Sequence, residues 1–148
     1  MSFGAPVVYL AAFAGRNSEG HHGPGNTYRI MAKPRPRYGE LGDGWVQTLM
    51  PRPDWLDAVR SRRWSAEQYE NTCRRLFERN ADRRLLLPGQ LRAVLLDGSF
   101  QLVQDGDTLC CSCGRKAAAA GRCHRVWAAD YLIEAGWRVI LDAQEVTS

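Results

Sequence analysis

The sequence predicts a small single-domain α/β sandwich over residues 1–148, with a mainly parallel sheet and flanking helices. Three observations predict it. Short runs rich in Val and aromatic residues alternate with segments of helical period. The C-terminal third reads as strand, loop, helix and strand, which is a right-handed crossover unit. A chain of 148 residues that is 45% apolar, with five tryptophans, is long enough to bury one core without disulfides or metal.

Pro6 to Phe13 is a short apolar run and reads as a buried strand, followed by a breaker-rich loop from Gly15 to Asn26. Thr27 to Met31 is a second strand. It is ended by Lys33-Pro34-Arg35-Pro36-Arg37, where two prolines forbid further pairing. Pro51 and Pro53 open a helix through Trp55, Leu56 and Val59, because proline in a first turn loses no hydrogen bond. Ser65-Ala66-Glu67-Gln68 is a capping box, so a helix runs from about Ala66 to Asn80 with Tyr69, Cys73, Leu76 and Phe77 on its inner side. Its other face carries Glu67, Glu70, Arg74, Arg75, Glu78 and Arg79 and reads as a solvated surface.

Leu85 to Leu96 is ambiguous in period, with a short helix after Pro88 favoured, and Asp97-Gly98 signals a turn. Phe100–Val103 and Thr108–Cys111 flank Gln104-Asp105-Gly106-Asp107 and are expected to form a hairpin. After Gly114 a loop leads to a helix from near Arg122 to Ala135, with Val126, Ala129, Leu132 and Ile133 inward. Gly136 stops it, and Trp137 to Leu141 is the last strand.

No segment approaches the roughly 18 to 20 apolar residues that span a bilayer, so no membrane partner and a cytoplasmic location are expected. The odd cysteine number, with Cys110 and Cys111 adjacent, is unlike a secreted disulfide framework, and reduced thiols follow. The formal charge is +4, and Lys33 and Lys116 are the only lysines. The arginine excess reflects either the codon composition of a GC-rich genome or contacts to phosphate, which arginine grips bidentately.

Chemistry concentrates near the C-terminal end, where Cys110, Cys111, Cys113, Cys123, His124 and Arg125 fall within sixteen positions. In the crossover picture Cys111 and Cys113 end a strand, while Cys123, His124 and Arg125 begin the next helix. That is where α/β sheets bind ligands. A helix start and a nearby arginine both favour a thiolate and attract an anion. A zinc set of Cys110, Cys113, Cys123 and His124 competes with this reading. Against it, neighbouring residues seldom converge on one ion, and strand alternation sends Cys110 and Cys113 to opposite faces. A Cys-x-x-Cys redox pair and plain packing of small apolar side chains also compete. We take the anion-binding thiol site, without a metal, as the working expectation and assign Cys110 to packing.

The segment Thr108-Leu109-Cys110-Cys111-Ser112-Cys113, followed by Cys123-His124-Arg125 and Ala129-Asp130-Tyr131-Leu132, resembles the bacterial and phage domain-of-unknown-function family number four-eighty-eight. That family joins a strand ending in Leu-Cys-x-Cys or Leu-Cys-x-Glu to a later Cys-His-Arg. Leu49-Met50-Pro51, Trp55-Leu56 and Trp64-Ser65-Ala66-Glu67-Gln68-Tyr69-Glu70 are similar to its proline-led helix and its Ser-x-Glu-x-Tyr-Glu helix start. The resemblance covers roughly Tyr28 to Leu141. It implies a small α/β sandwich with the site at Cys-His-Arg, and it implies no specific reaction.

His21-His22 lies in a Gly-rich loop and reads as a solvated pair. Gly23-Pro24-Gly25 lacks the spacing of a nucleotide-binding loop, and no cofactor is expected. Lys33, Arg35 and Arg37 are the auxiliary anion contacts. Two function classes follow. One is a thiol-dependent enzyme for a phosphate-containing or nucleotide-like substrate, with Cys111 or Cys123 as thiolate, His124 as acid or base and Arg125 as clamp. The second is a non-catalytic module for nucleic acid or another anion, with Trp45, Trp55 or Trp64 for stacking.

Overall fold

The computed structural model describes residues 4–12, 21–31, 42–111 and 123–147. The strands are β1 (Val7–Ala12), β2 (Thr27–Arg29), β3 (Gly44–Trp45), β4 (Arg92–Leu95), β5 (Phe100–Leu102), β6 (Thr108–Cys111), β7 (Arg138–Leu141) and β8 (Gln144–Val146). The helices are α1 (Pro53–Arg60), α2 (Ala66–Asp82) and α3 (His124–Glu134). The eight strands of the described residues form one sheet in the order β5-β4-β3-β2-β6-β1-β7-β8. The five inner strands β3, β2, β6, β1 and β7 are mutually parallel, and β4, β5 and β8 add antiparallel wings. The sheet is therefore mixed and mostly parallel, as expected.

Local chemistry accounts for the helices. Ser65 Oγ accepts from the Gln68 amide at 3.1 Å, and Gln68 Oε1 accepts from the Ser65 amide at 2.7 Å, so the capping box starts α2. Pro53 is the first residue of α1. Two strand expectations are corrected. Leu91 to Leu95 holds a strand and no helix, with Leu91 and Ala93 buried while Arg92 is exposed, which is a period of two. Nor do Phe100–Val103 and Thr108–Cys111 make a hairpin. β5 pairs with β4 through the Asp97-Gly98 turn, whereas β6 lies between β2 and β1 with all four residues buried. A run apolar on both faces belongs at a sheet centre, and the Asp105-Gly106 turn instead redirects the chain there.

Strand alternation gives the sheet two unlike faces. The register places Val8, Leu10, Leu109, Cys111, Tyr28 and Val139 on one face, all fully buried. Helix α3 packs over β1, β6 and β7 on that side, α2 packs along α3, and α1 packs on α2. Trp137 closes the end of this core, its Nε1 donating to the Leu86 carbonyl at 2.7 Å. Tyr9, Ala11, Thr108, Cys110, Arg29 and Trp45 share the opposite face. Residues 22–26 cover its centre, running from the C-terminal to the N-terminal ends of the strands. His22 Nε2 donates to the Ala12 carbonyl at 2.8 Å, the Gly23 amide to Thr108 Oγ1 at 2.8 Å, and the Asn26 amide to Asp107 Oδ1 at 2.9 Å. A Cβ on Gly23 would collide with the Tyr9 ring and the Gly106 carbonyl, so this close approach requires glycine.

Candidate functional site

The candidate site lies at the C-terminal end of β6, beside the end of its parallel neighbour β1, where Ala12 is in register with Cys111. From β1 the chain returns to β2 on the loop-covered face, and from β6 it proceeds through α3 to β7 on the helix face. Each connection therefore passes a neighbouring strand, β1 to β2 past β6 and β6 to β7 past β1, with residues 21–26 on one face of the sheet and α3 on the other.

Cys111 is the last residue of β6 and points to the helix face. Cys123 is the N-cap of α3, and His124 and Arg125 are its first two residues. All four are buried. Cys111 Sγ and Cys123 Sγ lie 3.2 Å apart, beyond the roughly 2.05 Å of a disulfide. Arg125 Nη1 donates to Cys111 Sγ at 3.0 Å and to Cys123 Sγ at 3.5 Å, while Nη2 donates to Asp142 Oδ2 at 3.1 Å. Burial opposes the guanidinium charge, but Cys111 and Cys123, with Asp142, outweigh it and hold the Arg125 pKa above its ordinary value. His124 Nε2 donates to the Ile30 carbonyl at 2.6 Å. Burial holds the His124 pKa below the usual imidazole value, partly offset by Cys111 and that carbonyl, and Arg125 adds to the lowering. The ring is therefore neutral, with its lone pair on Nδ1.

The expected Cys123-His124-Arg125 unit thus does come together with Cys111. Cys110 does not join it. Its side chain lies on the opposite face, its Sγ 3.8 Å from His22 Nε2. Burial pushes its thiol pKa well up, and the neighbouring Cys111 adds to this. The four-ligand set built on Cys110 is accordingly wrong in that member. Cys111, Cys123 and His124 form the group, with their ligand atoms within 4.8 Å of one another, and this cluster is able to hold a metal ion. Cys113, Lys33, Arg35 and Arg37 lie outside the described residues.

Two further members carry little sequence signal. Asp142 occupies the β7–β8 turn with φ 48°, beside Ala143 at φ 71°, a pair of left-handed residues of the kind that two-residue hairpins use. Its carboxylate reaches Arg125 on one side and stands 4.0 Å from His21 Nδ1 on the other. His21, expected as half of a solvated loop pair, is held at this strand end because the following residues are stapled to the sheet. The signal for Asp142 is no more than a Leu-Asp-Ala-Gln turn, and for His21 no more than its place after a breaker-rich run. Side-chain exposures of 24% for His21 and 31% for Asp142, against 2% for Arg125, make this the more open side of the cluster.

Comparison with known proteins finds no matching protein-family model, no matching curated protein and no matching solved structure.

Proposed function

We propose that Cys111, Cys123, His124 and Arg125 form a thiol-dependent site acting on an anionic, phosphate-containing or nucleotide-like substrate. The observation that carries this reading is the buried Arg125 guanidinium donating to both sulfurs. An arginine so placed favours thiolate over thiol, and the start of α3 acts in the same sense on its N-cap, Cys123. The neutral His124 retains a ring lone pair for proton transfer. The resemblance noted in the sequence implies a site at Cys123-His124-Arg125. Arg125 already shares its charge with the sulfurs and Asp142, and Lys33, Arg35 and Arg37 remain the auxiliary anion contacts expected from the sequence.

Alkylation of the full chain by iodoacetamide, mapped by peptide mass, tests this. Cys111 or Cys123 is expected to react at neutral pH at least about tenfold faster than Cys73, the equivalent of about one pKa unit. Inorganic phosphate slows that reaction, and Arg125→Gln slows it about tenfold or more. Uniformly slow alkylation, indifferent to phosphate, in protein of native circular dichroism defeats the reading.

One observation favours a nucleic-acid module instead: Arg75 and Arg79 of α2 and its C-cap Arg83 are exposed and recur every fourth residue. Binding of single-stranded RNA or DNA that weakens steeply with salt and is lost on replacing these three arginines by alanine would support it. No binding at low salt removes it.

A further inference from the structure

We propose that Cys111, Cys123 and His124 bind a zinc-class divalent cation. This rests on the preceding reading in one respect, the ionisable Cys111–Cys123 pair beside Arg125, and adds a ligand that silences those thiols when bound.

Two sulfurs and one imidazole nitrogen suit a borderline-to-soft cation, whereas magnesium and calcium require oxygen donors. The three ligand atoms already lie within 4.8 Å of one another. A tetrahedral ion about 2.3 Å from each sulfur separates the sulfurs by about 3.7 Å, so the observed 3.2 Å must widen by only about 0.5 Å. Adjacent residues rarely converge on an ion, but here the backbone turns between them. Cys123 is extended, with φ −118° and ψ 137°, while His124 is already helical, so their side chains leave a bend and not a straight segment.

The surroundings match a metal site in two further ways. The His124 Nε2 hydrogen bond to the Ile30 carbonyl fixes the ring's tautomer and orientation, as a backbone carbonyl commonly does for a metal-bound histidine. Arg125 donates to both sulfurs and is anchored by Asp142, so the ligands are held from behind. Charge also balances. Two thiolates, one guanidinium and one carboxylate carry a net −2, which a dication cancels; binding releases the protons that the thiols held. Among the described residues the group has three members, which leaves a four-coordinate ion one position for a further donor.

Titration of the reduced full chain with Co²⁺ under anaerobic conditions tests the proposal. The expected result is one Co²⁺ per chain with a thiolate-to-cobalt charge-transfer band, displaced by Zn²⁺. Cys111→Ser, Cys123→Ser and His124→Ala should each weaken Zn²⁺ binding at least about tenfold, while Cys73→Ala leaves it unchanged. Bound Zn²⁺ should also block alkylation of Cys111 and Cys123. No charge-transfer band in wild-type protein of native circular dichroism overturns the proposal, and so does a band that survives in the Cys111→Ser/Cys123→Ser double variant. The wild-type spectrum decides even where a variant fails to fold. Alkylation of the same metal-free sample separates the two readings: fast thiols without cobalt binding sink the metal alone, and cobalt binding with slow thiols sinks the catalytic reading alone.

Discussion

At the scale of single residues, burial alone does not decide what a cysteine does here. Cys73, Cys110, Cys111 and Cys123 are all fully buried, yet their neighbours differ. Cys111 and Cys123 receive hydrogen bonds from a guanidinium, Cys110 meets an imidazole nitrogen already bonded to a carbonyl, and Cys73 of α2 belongs to the apolar core. Burial pushes the Cys73 thiol up to about 12; a bond from Tyr69 opposes this and the Glu70 charge adds to it. Linkage sets the sign of the effect on stability. The unfolded thiol ionises near pH 8.5, so above that value the unfolded chain sheds a proton that the folded chain retains. Stability from Cys73 is thus complete below about pH 8.5 and declines as pH rises toward the folded value of about 12. Between pH 8 and pH 10 the loss is about 2 kcal/mol. Urea unfolding at the two pH values should show it, and Cys73→Val should flatten the difference by that amount. An unchanged pH slope in the variant would refute the assignment.

At the scale of elements, the segments that carry their own chemistry are those legible in the sequence. Helix α2 depends on reciprocal capping bonds between Ser65 and Gln68, and Ser65→Ala should lower stability by about 1 kcal/mol, read as a shift of the urea midpoint with unchanged m-value. The expected bounds of α2, α3 and β1 lie within about two residues of those observed, because caps, prolines and periodicity are local signals. β3 and β8 escape a sequence reading, since Gly44-Trp45 and Gln144-Glu145-Val146 each hold a single large apolar residue and no alternation. The pairing of β5 and β6 is illegible for a related reason: Asp97-Gly98 and Asp105-Gly106 are equivalent turn signals, and only the buried character of both faces of β6 tells which turn closes a hairpin. The site divides the same way. Cys123, His124 and Arg125 are visible as a helix start, whereas the contacts of Asp142 and His21 arise from tertiary placement, Asp142 being 17 residues from Arg125.

At the scale of the whole molecule, the candidate site sits on the best-supported part of the sheet. β6 is paired on both sides by parallel strands, covered by α3 on one face and by residues 22–26 on the other. β5 and β8 are edge strands of three residues each with one neighbour apiece, and Phe100 and Leu102 of β5 are exposed. Local opening costs less where fewer buried contacts are broken, so stability should fall from the sheet centre outward. A site built at the end of β6 then inherits a backbone that opens only with the whole fold, which keeps the Cys111, Cys123 and Arg125 geometry constant without a disulfide. The measurable consequence is a gradient in native-state amide exchange. Amides of β1 and β6 should be protected at least about a hundredfold more than those of β5 and β8, or about 3 kcal/mol in opening free energy. Equal protection in β5 and β6 would mean that the edge hairpin is stabilised by contacts beyond those described. The same experiment with Zn²⁺ added should leave the β5 and β8 rates unchanged while slowing exchange in the first turn of α3, because a ligand at Cys123 and His124 ties down that turn and not the wings.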